Sequence, residues 1–253
     1  MAWVLDLDGV VWLGRKPIAG AAEAVQYLRA RGHHVVFATN FSASPVGVIE
    51  EALGDIGIDA RGDVVTSAMA AASLIEPGQR AAIVGGDGIS EALCTHGVQV
   101  VDAGQPAEAV VVGMAYDLSY SLLDAAFQTL QKGAALIATN DDPTYPGSEG
   151  LHPGAGSIVA ALERCSGMTA LVAGKPNDPQ ARLIRGLVDG TETSLPSGAV
   201  RDIMIGDRTD SDGLFAHHLG YAFGHVLTGV EQTASDAAQY VAPSLMDMAK
   251  RHG

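Results

Sequence analysis

Asp6-Leu7-Asp8-Gly9-Val10-Val11 comes directly off an apolar run that begins at Trp3. Residues 3–7 read as a short strand closed by two acids two positions apart. If the strand continued through them, both carboxylates would share one face. Two carboxylates that near each other are costly unless a cation or a shared proton offsets the repulsion. Gly9 relieves the backbone just beyond them. The plain structural alternative is a strand running into an Asp-Gly turn. In an open parallel sheet, ligands bind at the carboxyl ends of the strands. The meaning of the pair therefore depends on whether the rest of the chain builds such a sheet.

The rhythm of the chain says that it does. Residues 21–31 carry a helical pattern, and 34–38 form an apolar run suited to a buried parallel strand. Ser44-Pro45 marks a helix start, and Gly57 can stop that helix after about residue 56. A further helix covers 67–75, and Glu76-Pro77-Gly78 breaks the chain. Strands at 81–84, 98–101, 108–112 and 136–139 then alternate with helices at 89–96, 121–131 and 156–165. The second of these helices is opened by a capping box at 121–124. After Gly174-Lys175-Pro176 come a helix at 180–188, a polar loop at 191–198, a strand at 203–206 and short strands at 221–224 and 239–241. This βαβα order implies an α/β fold, a parallel sheet with helices on both faces.

Composition agrees with that class. The 253 residues are 47% hydrophobic, with 31 Gly but only 2 Trp, 6 Tyr and 5 Phe. An interior of Ala, Val, Leu and Ile suits packed α/β layers and excludes disorder. Lys plus Arg number 15 against 29 Asp plus Glu, a formal charge of −14. That excludes a broad basic surface for nucleic acid. It also repels anionic metabolites, so a phosphate ligand requires a local cation. No run of about 18 apolar residues is free of charge, so no membrane span is expected. Asp6 and Asp8 arrive before a signal-peptide core could form, which points to a cytoplasmic protein. Cys94 and Cys165 fit neither CxxC nor metal spacing, and two buried thiols in a reducing compartment are expected.

Three more strand ends carry chemistry. Thr39-Asn40 closes the 34–38 strand, where a hydroxyl and an amide can donate to phosphate or simply start a turn. Gly174-Lys175-Pro176 resembles a phosphate loop only superficially, since Thr169 and Pro176 break the GxxxxGK[ST] pattern at both ends. Gly206-Asp207-Arg208-Thr209-Asp210-Ser211-Asp212 follows the 203–205 strand and places three acids within six residues, the donor type of a hard-cation site.

Taken in order, DxDGV, TN, GK and GDxxxxD resemble the motif set of the haloacid dehalogenase (HAD) superfamily. The resemblance narrows to its NagD-like, para-nitrophenyl-phosphatase-like subgroup through DLDGVVWLG at 6–14, IATNDD at 137–142, GLHPGAGS at 150–157 and VAGKP at 172–176. It covers essentially the whole chain. It implies a Rossmann-like HAD core formed by 1–78 and 174–253, with an α/β cap domain at 79–173 inserted between the second and third motifs.

The resemblance also implies a Mg²⁺-dependent phosphatase acting on a small phosphorylated metabolite through an aspartyl-phosphate. By motif, Asp6 is the nucleophile and Asp8 the general acid and base. Thr39, Asn40 and Lys175 bind phosphate. Asp6, Asp8 (through its backbone carbonyl) and Asp207 hold the metal, with Asp212 orienting from behind. Asp142, Tyr145 and His152 are cap residues that could face the substrate, although His152 beside Pro153-Gly154 equally fits a turn. The subgroup commonly shows TNNS after its second strand, whereas this chain has Thr39-Asn40-Phe41-Ser42, which sets a ring at the mouth of the site. Dimerisation through the cap is common in similar proteins. The competing functions are phosphoryl transfer of the mutase type on the same scaffold and a non-catalytic phosphometabolite-binding protein. Haloacid dehalogenation needs neither Asp8 nor the acidic loop.

Overall fold

A computed structural model describes residues 1–147, 150–189 and 202–253. The polar loop expected at 191–198 lies outside the described residues. The chain divides into two compact units, one of residues 1–39, 49–65 and 175–253, the other of 40–48 and 66–174. Residues 40–48 and 66–78, grouped with the core when read from sequence, thus cluster with the second unit. Hydrogen bonds tie residues of both stretches to that unit. The Asn40 carbonyl accepts from Ser67 Oγ (2.7 Å) and Asn140 Nδ2 (2.8 Å), and the Val46 amide donates to the Glu91 carboxylate at 2.7 Å.

The first unit is built on a six-stranded sheet in the order Tyr240–Ala242, Ala222–Val226, Ile203–Gly206, Ala2–Leu5, His34–Thr39, Val64–Thr66. Ala2–Leu5 is central and pairs in parallel with both neighbours, Leu5 standing opposite Ile205 on one side and Phe37 on the other. The strands are short and apolar because both faces are covered. Val4, Val36, Ala38 and Met204 pack with Ala181, Ile184, Phe215 and Leu219 of two helices, Asp178–Asp189 and Leu214–Leu219. The alternate residues Trp3, Leu5, Val35 and Phe37 are equally buried and take the opposite face, as a period of two requires. Gly253 lies there against Trp3 and against Leu28 of the helix Ala21–Ala30.

From the central strand the chain moves outward in one direction through His34–Thr39 and in the other through Ile203–Gly206. That reversal of strand order is the crevice where α/β sheets bind ligands. It sets the ends of three strands side by side, and with them Asp6, Thr39 and Asp207.

The second unit holds a five-stranded parallel sheet, Leu171–Val172, Ala135–Ala138, Ala109–Val112, Arg80–Val84, Gln99–Val101. Its core joins Val84, Val110, Val112, Leu130, Leu136, Ile158 and Leu162. This is the inserted α/β domain, the cap, of a two-sheet architecture. A hairpin of Thr144–Gly147 with Gly150–Pro153 pairs Tyr145 opposite His152.

Several local expectations need correction. The helix Tyr120–Gln131 is capped by Ser119, whose hydroxyl accepts from the Leu122 amide at 3.2 Å, not by a box at 121–124. Ser119 and Ser121 are both hydroxyls, and spacing alone favours the wrong one. Both cysteines are free, as expected, but both are exposed, because Cys94 and Cys165 fall on the outer faces of their helices. His152 sits within a hairpin strand, stacked on Tyr145 with ring centroids 5.4 Å apart, instead of in a turn. Among the described residues, no helix is long and apolar enough to cross a membrane.

Candidate active site

The opening strand ends at Leu5, two residues short of the 3–7 expected from the sequence, which changes the geometry of the acid pair. The Asp6 amide still donates to the Ile205 carbonyl at 2.9 Å, so Asp6 is the last residue held by the sheet. The amides of Val11 and Trp12 then turn back to the Leu7 carbonyl, 2.9 and 3.1 Å away. Gly9 makes this turn possible with φ of 84°. Asp8 is therefore carried on a turn, where its carboxylate accepts from the Gly14 amide (3.3 Å) and from the Trp12 side chain. A shared strand face for the two acids does not form, because the strand stops one residue before the first of them.

Asp6 belongs instead to a cluster gathered from three chain segments. Its Oδ1 accepts from the Leu7 amide at 2.7 Å and from Lys175 Nζ at 2.8 Å. Lys175 Nζ donates equally to Asp212 Oδ1, also at 2.8 Å. The other Asp212 oxygen accepts from the amides of Asp207 and Arg208, 3.2 Å each. Carboxylate oxygens of Asp6, Asp207 and Asp212 lie within 4.8 Å of one another. Lys175, Asp207 and Asp212 are buried, and Asp6 is largely so.

Asp207 rests in a cradle with no room for a side chain on either wall. A Cβ placed on Gly9 or on Gly229 would overlap its carboxylate. The Val230 amide donates to Asp207 Oδ2 at 2.6 Å. The Thr228 hydroxyl fastens the same loop to the Gly9 carbonyl, and the Glu231 carboxylate takes both the amide (3.0 Å) and the hydroxyl (2.6 Å) of Thr209. Thr228, Gly229 and Glu231 escaped the sequence reading. They follow the strand Ala222–Val226, so asking what sits at the carboxyl end of that strand too would have found them.

Thr39 closes its strand as a buried residue. Asn40, which belongs to the second unit as Asp142 does, points its side-chain amide at Asp142 Oδ2, 3.0 Å away. Phe41 is half-buried. Gln180, absent from every motif, bonds the Thr39 carbonyl and the Lys175 amide.

The electrostatics follow from three acids sharing one lysine. Burial is the main force lifting the Asp6 carboxyl well above its usual range; Lys175 opposes it, and Asp212 and Asp207 add to it. Burial, then Asp212, pushes Asp207 up to about 6. Burial also raises Asp8. For Lys175, burial works against the charge, but Asp212 and Asp6 outweigh it and hold the ammonium above its ordinary range. The cluster therefore carries more negative charge than one lysine offsets. Buried carboxylates at one point with carbonyls nearby form an oxygen donor set of the kind that suits Mg²⁺.

A pH dependence follows. Asp207 titrates near 6 in the folded chain against an ordinary 3.8, so the folded form holds its proton more tightly. Stability is then highest below pH 4 for this group and falls as pH rises through 4 to 6, by about 3 kcal/mol. Without divalent cation, thermal unfolding should occur at a lower temperature at pH 7.5 than at pH 5. Mg²⁺ should recover the difference at pH 7.5 and do little at pH 5, and Asp207→Asn should shrink both effects, leaving the part that Asp6 contributes. Equal Mg²⁺ stabilisation at both pH values would contradict this account.

Residues 3–99 match the haloacid dehalogenase-like hydrolase family, and residues 172–248 match the HAD-hydrolase-like family. The chain is 33% identical over 236 residues to an acid sugar phosphatase of Staphylococcus aureus, covering 90% of this chain and 87% of that protein. It is 35% identical over 233 residues to a D-glycerol 3-phosphate phosphatase of Mycobacterium tuberculosis, where 90% of this chain spans only 63% of the relative's length. Among solved structures, a p-nitrophenyl phosphatase from Archaeoglobus fulgidus superposes with a TM-score of 0.88 at 26% identity, covering 99% of this chain and 98% of that one. A glycerol phosphate phosphatase from Mycobacterium tuberculosis, in complex with magnesium, gives a TM-score of 0.87 at 31% identity, covering 98% and 77%.

Proposed function

We propose a reaction for this chain from one premise: it belongs to the haloacid dehalogenase-like hydrolases, to their NagD/p-nitrophenyl phosphatase branch, and so is a hydrolase of phosphoric monoesters. The substrate we assign is a small phosphorylated polyol or sugar, the class named for the relatives above. The observation that carries the proposal is the buried ion pair of Asp6 with Lys175, 2.8 Å apart at the end of the central strand.

In this reaction a carboxylate oxygen of Asp6 attacks phosphorus, forming an acyl phosphate as the ester P–O bond breaks. Asp8 gives its proton to the departing alkoxide, a role suited to a carboxyl that burial holds above its usual range. Asp8 then takes a proton from water, which attacks the acyl phosphate and frees Asp6. Thr39 and Asn40 hold the transferred phosphoryl oxygens, and Lys175 offsets charge on both Asp6 and phosphate. Mg²⁺, held by Asp6, Asp207 and the Asp8 carbonyl, would supply the remaining positive charge. Asp212 keeps Lys175 and the 207–208 backbone in place. Residues 79–173, which carry the second sheet, select the leaving group, with Asp142 and Tyr145 as the side chains we assign to it. A homodimer formed through this segment is part of the same proposal.

The test is a panel of p-nitrophenyl phosphate, glycerol phosphates and sugar phosphates, read as kcat/KM. Mg²⁺ should raise turnover at least about 100-fold over a chelated control. A phosphorylated polyol or sugar should head the panel. Turnover indifferent to chelation would overturn the proposal.

A further inference from the structure

Gln180 lies in the first turn of the helix Asp178–Asp189, and its side chain is completely buried. Its Nε2 donates to the carbonyls of Thr39 and Val65, 3.0 Å each, and its Oε1 accepts from the Lys175 amide at 2.9 Å. One carboxamide thus uses both of its donors and an acceptor on three backbone groups. The groups come from the ends of two neighbouring strands and from the turn that enters the helix. Buried backbone groups need partners, so a purely structural role is the bland explanation. Two of the three, however, belong to residues that would grip the phosphoryl group. Fixing the Thr39 carbonyl fixes where its hydroxyl leaves the backbone. Fixing the Lys175 amide fixes the root of the side chain whose ammonium reaches Asp6 and Asp212 at 2.8 Å.

We propose that Gln180 is a positioning residue for phosphoryl transfer: by tying the Thr39 carbonyl and the Lys175 amide to a single carboxamide, it sets the spacing of hydroxyl and ammonium about Asp6. The inference rests on the assignment of Thr39 and Lys175 as phosphoryl ligands. Gln180 touches neither Asp207 nor Asp212 in any hydrogen bond described above, so its loss should spare the metal dependence while harming phosphate geometry.

Gln180→Met keeps length and volume but removes all three bonds. It should lower kcat about 100-fold, the scale of an ångström-sized misplacement. It should weaken binding of inorganic phosphate, followed by isothermal titration, about tenfold, and leave the Mg²⁺ concentration for half-maximal rate unchanged. Ile184→Ala is the control. It is on the same helix and fully buried, so it lowers the unfolding temperature but should keep kcat within about twofold of wild type. The inference is overturned if Gln180→Met keeps wild-type kcat and phosphate affinity, or if Ile184→Ala loses kcat equally at matched stability. Should Gln180→Met not fold, Gln180→Glu, which keeps only the acceptor for Lys175, is judged by the same criteria. A wild-type protein inactive on every phosphate ester would instead overturn the functional assignment, and the inference with it.

Discussion

Asp6→Asn is expected to lower turnover of every phosphate ester by at least about 10⁴-fold, the scale of losing a nucleophile, while raising the unfolding temperature of the metal-free protein. The two effects have one origin. Asn is isosteric and keeps an oxygen for the Leu7 amide and for Lys175 Nζ, which Asp6 now binds at 2.7 and 2.8 Å. What it removes is a charge held where burial and two further acids oppose it. Because the folded chain raises the Asp6 pKa above its ordinary 3.8, the ionised carboxylate destabilises the fold at neutral pH, and that penalty disappears in acid where both states are protonated. The gain from Asn should therefore be present at pH 7 and absent near pH 3. Sites strained for chemistry commonly show this exchange of stability for activity. Mg²⁺ should stabilise the variant less than wild type. Calorimetry with and without chelator, beside initial rates, decides the matter. A variant that turns over normally removes Asp6 from the chemistry. One that is inactive and also much less stable makes Asp6 a structural residue.

Much of this arrangement can be seen in the chain before any coordinates. The alternation of short apolar runs with helical patterns predicts the parallel sheets, because strands buried on both faces must be apolar at every position, as 35–38 and 109–112 are. Asp6, Lys175 and the acids of 207–212 announce themselves as charges at the ends of such runs. What stays hidden depends on tertiary packing. Nothing in the pattern of Asp6-Leu7-Asp8 says whether the strand ends before or after the pair, since that is decided by the amides of Val11 and Trp12 folding back on Leu7. Short strands such as Leu171–Val172, and the hairpin of Trp12–Leu13 with Lys16–Pro17, are too brief to carry a period. Gln180 is invisible for a different reason: a glutamine in the first turn of a helix ordinarily faces water, and only its contacts with Thr39 and Val65, remote in sequence, make it a core residue. Gly229 likewise looks like an ordinary turn glycine until Asp207 is found against it.

Lys175→Met should be the most destabilising single change in the site, and its cost should be recoverable without recovering function. The side chain is 2% exposed and bridges Asp6 and Asp212. Met matches its length and fills the same space, so little packing is lost. What remains is two buried carboxylates with no cation between them. Removing one partner from a buried pair costs about 3–5 kcal/mol, more than the pair's own contribution, because the charge left behind is uncompensated. The raised Lys175 pKa gives the sign. A lysine held above its ordinary 10.5 in the folded state contributes its full stabilisation at all pH values below that figure. The loss should thus be complete at pH 7 and should shrink only toward acid, where Asp6, whose carboxyl is held above its usual range, takes up a proton. Adding Asp212→Asn to Lys175→Met removes one of the stranded charges. The double variant should be more stable than Lys175→Met alone, a non-additivity expected of groups in direct contact. Activity should behave otherwise. Without the ammonium, phosphate meets Asp6 unscreened, so kcat/KM should fall about 1000-fold in both the single and the double variant, the upper range for losing one electrostatic donor. If denaturant melts showed Lys175→Met within 1 kcal/mol of wild type, about the worth of an exposed pair, the lysine would not be the charge that holds this cluster together. If the double variant recovered turnover along with stability, Lys175 would support the fold alone, and the phosphate would have to find its positive charge elsewhere in the chain.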